Sequence, residues 1–89
     1  MPRLPEPKRV VLEGEYYHVR FRDPDDFSTI RTPEWATTAA RDVSEGAKVR
    51  MGKRSGSDDW AVQSVLIVKS VGESKARTQA TKILEKLEG

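Results

Sequence analysis

Cysteine and asparagine are absent from this chain, and His18 is its one histidine. Without cysteine there is no disulfide scaffold, no thiol nucleophile and no thiolate metal site. A lone imidazole excludes any centre that needs two from one chain. The missing asparagine removes every N-glycosylation acceptor. Glutamine occurs only at Gln63 and Gln79. Scarcity of heat-labile residues beside abundant Lys, Arg and Glu is a composition shared with thermophile proteins. No apolar run approaches the roughly 20 residues that cross a bilayer. The opening MPRLPEPKRV lacks the apolar segment of a secretory signal. The expectation is a cytoplasmic protein with no membrane partner.

What is present is charge. Of 89 residues, 34% are charged and 36% hydrophobic, which fits one small core and one domain. The formal net charge is only +2, too little to indicate a polyanion partner by itself. Its distribution says more. Residues 1–22 carry +2, 23–46 carry −4, 47–69 carry +3 and 70–89 carry +1. Two cationic stretches therefore flank an acidic one, and the molecule is polarised if they meet in space.

Residues 1–8 hold three prolines and no periodicity, as in an extended or mobile arm. The domain is expected over 9–89. Residues 9–12 and 15–22 read as strands joined by a turn at Glu13-Gly14. In the second, Tyr17, Val19 and Phe21 alternate with Tyr16, His18, Arg20 and Arg22. Asp23-Pro24-Asp25-Asp26 is a turn, and 27–31 is a short strand. Thr32-Pro33-Glu34 predicts the start of a short helix over about 33–42, with Thr32 as N-cap. Residues 47–51 alternate again, with Ala47, Val49 and Met51 inward and Lys48 and Arg50 outward. A polar loop over 52–59 leads to the strongest strand, 60–69. A helix from about 73 to 88 carries the apolar stripe Ala76, Ala80, Ile83, Leu84 and Leu87.

This order predicts an α+β fold: an antiparallel sheet of four to five strands, ββ(β)-short α-ββ-α, packed on one C-terminal helix. A small barrel is the variant topology. Unbroken alternation places Leu66 and Val68 in the core with Trp35 beside them. It leaves Val65 and Ile67 on the opposite side, as an apolar surplus that marks an interface.

Several constellations fail on their own mechanics. The acids at 23, 25 and 34 have calcium-loop spacing, but Phe27, Ser28 and Pro24 break the pattern. GAKVRMGKRS has Ala47 where a phosphate-binding loop needs glycine and Arg54 where it needs Ser or Thr. His18 has no nucleophile motif for a triad. No catalytic residue, metal site, cofactor or small-molecule substrate is expected.

One constellation remains. If the two hairpins share a sheet, Arg20, Arg22, Lys48 and Arg50 lie on one face with Tyr16 and His18, and the hairpin loop adds Lys53 and Arg54. Cations attract phosphates and rings stack on bases. The function expected is binding of single-stranded DNA or RNA with low sequence selectivity. The alternative is a protein-interaction module, homodimeric through Val65, Ile67 and Trp60.

Overall fold

In a computed structural model, residues 5–56 and 58–88 are described. The strands are β1 (Arg9–Glu13), β2 (Tyr16–Arg20), β3 (Thr29–Arg31), β4 (Lys48–Lys53) and β5 (Trp60–Val68), with helices α1 (Glu34–Arg41) and α2 (Glu73–Glu88). All strand pairs are antiparallel, in the order β1-β2-β5-β4-β3. The sheet stays open, with β1 and β3 at its edges, so the barrel variant is not adopted. The fold is the expected α+β class.

Of the expected N-terminal arm, residues 1–4 lie outside the described residues. Pro5 to Lys8 form no regular element, and the Lys8 amide donates to the Arg20 carbonyl at 2.7 Å. The β1–β2 turn uses Gly14 at φ 59°, a left-handed conformation that a Cβ would penalise. Asp23 accepts the Asp25 amide at 3.0 Å and starts a single 3-10 turn, so the acidic tetrad is a turn as read.

Two helices, rather than one, pack on the sheet. α2 lies on β5 and β2 and buries Ala76, Ala80, Ile83 and Leu84. α1 packs on β4 and contributes Ala36 and Ala40 to the same core. It begins one residue later than expected. Pro33 holds the cap position without a side-chain hydrogen bond, so Thr32 is not the N-cap. Trp35 is 57% exposed, because the Ala36 and Ala40 face turns inward in its place.

β5 departs most from simple alternation. Arg50 pairs with Ser64, yet Met51 pairs with Val62, so Gln63 is an extra residue on β5. A bulge of this kind reverses which side the following residues face. Val62, Val65 and Ile67 therefore all enter the core, each fully buried. The expectation for Val65 and Ile67 is corrected: they are core residues, and they offer no surface for an interface. Leu66 moves to the opposite side, opposite His18 and Lys48. Gln63 is itself buried and well bonded. Its amide donates to the Arg22 carbonyl at 2.9 Å, and its side-chain oxygen accepts from the Ser64 hydroxyl at 3.0 Å. Trp60, also assigned to an interface, is half-buried against the core.

Candidate nucleic-acid interface

The pairing registers define both sides of the sheet row by row. On the helix-covered side one row reads Val10, Val19, Val65, Val49. On the other side the neighbouring rows read Arg9, Arg20, Ser64, Arg50, then Val11, His18, Leu66, Lys48. Glu13, Tyr16 and Val68 follow. β2 and β4 are not adjacent, since β5 lies between them, but at about 4.8 Å per strand spacing they stand only ~10 Å apart.

Long side chains bridge that gap. The Lys48 ammonium sits 5.4 Å from the Tyr16 ring centroid, a cation–π contact reaching across β5. Leu66 is only 7% exposed and floors a recess of about 320 Å³ with Lys48, Arg50, Thr32 and Thr37. Thr37 reaches it from α1, and its hydroxyl has no hydrogen-bond partner among the described residues.

His18 lies at the centre of this side, its side chain 13% exposed. Burial is the main cause that lowers its pKa below the ordinary 6.5. Glu13, whose carboxylate is 3.8 Å away, opposes the shift, while the charges of Arg50 and Arg20 reinforce it. At neutral pH the imidazole is uncharged, a ring and hydrogen-bonding group rather than a cation. That both arginines act on it reflects their common side.

Arg9, Arg20 and Arg50 share one row with a single serine between the last two. Like charges directly opposite each other cost stability. No carboxylate among the described residues lies within 4.0 Å of any of the three.

Three residues assigned to the site, Arg22 by alternation and Lys53 and Arg54 through the hairpin loop, lie outside the two rows. The chain leaves β2 after Arg20, and the Phe21 and Arg22 amides both donate to the bulged Gln63 carbonyl, at 3.0 and 3.2 Å. Those two hydrogen bonds to one carbonyl turn Arg22 out of the alternation. Its guanidinium forms a bidentate pair with Glu88 at 2.8 and 2.9 Å and donates to the Val62 carbonyl at 2.8 Å. Glu88 also accepts the Val62 amide at 2.7 Å. Arg22 is thus the clamp holding the end of α2 to the bulge. Lys53 shares the side of Met51 and faces Asp58 at 3.7 Å across the loop. Arg54 is exposed, with its guanidinium 5.9 Å from the Phe27 ring centroid. The sequence reading missed Leu66 and Phe27; the consecutive polar pair Gln63-Ser64 inside an apolar strand was the signal that would have exposed the first.

Among the described residues, no three His, Asp or Glu side chains come together to hold a metal ion, and no helix is long and apolar enough to cross a membrane. A larger recess, about 480 Å³, lies between Pro7 and the outer surface of α2 and shares no residue with the arginine row. Compared with known proteins, the chain matches no family model, no curated protein and no solved structure.

Proposed function

We propose that the side of the sheet opposite α2 is a basic surface that binds single-stranded DNA or RNA with little sequence selectivity. The observation that carries this reading is the row Arg9, Arg20, Ser64, Arg50. Its guanidinium groups repel one another in the free protein, and a polyanion laid along the row relieves that repulsion while releasing its own counterions. Lys48 adds a cation beside the row. Tyr16 and neutral His18 supply flat rings for stacking, which every base accepts and which gives little sequence preference. Lys53 is not part of the surface, and Arg22 borders it beside Arg9 and Arg20 with its guanidinium held by Glu88. The protein-interaction alternative has lost its main support, because the bulge places Val65 and Ile67 in the core.

Fluorescence anisotropy with labelled oligothymidylate and oligouridylate tests the proposal and separates DNA from RNA. Binding is expected at low salt and weakens steeply as salt rises. Each phosphate contact on a single strand contributes about 0.7 to the slope of log K against log salt, so Arg20→Ala with Arg50→Ala should lower the slope by about 1.4. Absence of binding at low salt, or an unchanged slope in the double variant, overturns it.

A further inference from the structure

We infer that Phe27 forms a second base-stacking position on the same surface, which deepens the function proposed above and rests on it. Gly52 follows Arg50 on the outward side of β4, since Val49 and Met51 both point into the core. It has no side chain, and the Phe27 ring occupies the space: a Cβ at position 52 would collide with that ring. Phe27 is half-buried, and its ring borders a recess of about 310 Å³ with Arg22, Arg54, Asp59 and Ala61. The ring is therefore held against the backbone of the sheet, as a stacking platform must be, while remaining open to solvent at one side.

The two ends of the surface repeat one arrangement. At one end Lys48 lies over Tyr16; at the other Arg54 lies over Phe27. In each, a flexible cation covers a ring in the free protein, and it can move to a phosphate when a base takes the ring face. Tyr16 shares its row with Val68, two residues beyond the row of Lys48 and two strands away from β4, so the two rings stand about 20 Å apart along the strands and about 10 Å apart across them. The cations Lys48 and Arg50 lie along that path. A strand of nucleotides can thus place bases on both rings while its backbone follows the arginine row, in keeping with site sizes of about four or more nucleotides for single-strand binders.

The test compares an eight-nucleotide oligothymidylate with an abasic phosphate backbone of equal length. Wild-type protein should bind the first more tightly. Phe27→Leu should weaken oligothymidylate binding about tenfold and leave abasic binding unchanged, whereas Phe27→Tyr should keep wild-type affinity. Ring-proton NMR of the wild-type protein gives a readout that needs no folded variant: the Phe27 signals should move upfield as oligothymidylate is added. Unmoved Phe27 signals, or equal losses for both ligands in Phe27→Leu, overturn the stacking role and leave the cationic surface standing. Failure of the wild-type protein to bind either ligand at low salt overturns the surface itself.

Discussion

The two sides of this sheet are built from the same strands to opposite ends. One row on the helix-covered side is four valines from four strands; the neighbouring row on the side opposite α2 is three arginines and a serine. The first stabilises the fold by removing apolar surface from water. The second adds repulsion and has no counterpart in the packing. A domain of this size has little stability to spare, so a row of like charges stands out against a row of valines. β5 feeds both sides, and the bulge at Gln63 is what places Val65 and Ile67 with Val62 on the side with the helices.

That contrast can be broken deliberately. Ile67→Ala should cost about 2–5 kcal/mol, the range for emptying a well-packed core site, as read from chemical denaturation. A loss below 1 kcal/mol would mean that Ile67 is not in the core. The Arg22–Glu88 clamp is partly exposed, at 22% and 16% of the side chains, and links β5 to the end of α2. Its carboxylate sits at the negative end of the helix dipole, where it is unfavourable without a cation. Arg22→Ala should therefore cost about 1–3 kcal/mol by leaving charge and backbone groups short of partners. It should lower oligonucleotide affinity less than Arg20→Ala does, because Glu88 holds the Arg22 guanidinium; equal losses of affinity would place Arg22 among the phosphate contacts.

A smaller effect tests the centre of the side opposite α2. The His18 pKa is lowered in the folded protein, so the unfolded chain binds the proton more readily. The stability from a neutral His18 is present above pH ~6.5. It is lost as pH falls from there through the folded-state value. Thermal midpoints measured between pH 8 and 5 should decline at the acid end, and His18→Gln should reduce that decline. A His18→Gln profile parallel to wild type would contradict the burial. The smallest effect belongs to Thr37, whose buried hydroxyl lacks a partner among the described residues. Thr37→Val should be neutral or stabilise by up to ~1 kcal/mol; a clear loss would reveal a hydrogen bond to the hydroxyl.

Much of this architecture was legible in the residues. The 73–88 stripe coincides with α2, and the alternation over 47–51 correctly separates Lys48 and Arg50 from Val49 and Met51. Tyr16, His18 and Arg20 were assigned to one side for the same reason. Alternation failed where a strand was not uninterrupted. Counting through Gln63 without allowing for a bulge put Val65 and Ile67 on the wrong side. Counting past Arg20 extended β2 onto Arg22, whose partner Glu88 is 66 residues away in sequence and invisible to any local pattern. Phe27 was missed because its placement depends on a side chain that Gly52 lacks. Period-two patterning reports which way a side chain points only while the ladder is intact.

The most direct measurement is an amide and arginine side-chain NMR map of the protein titrated with oligothymidylate at low salt. The account predicts perturbations centred on Arg9, Arg20, Arg50, Lys48, Tyr16, His18, Phe27 and Arg54, with the outer surface of α2 silent. Perturbations centred on α2 around Arg77 and Lys82, with the arginine row unmoved, would contradict it.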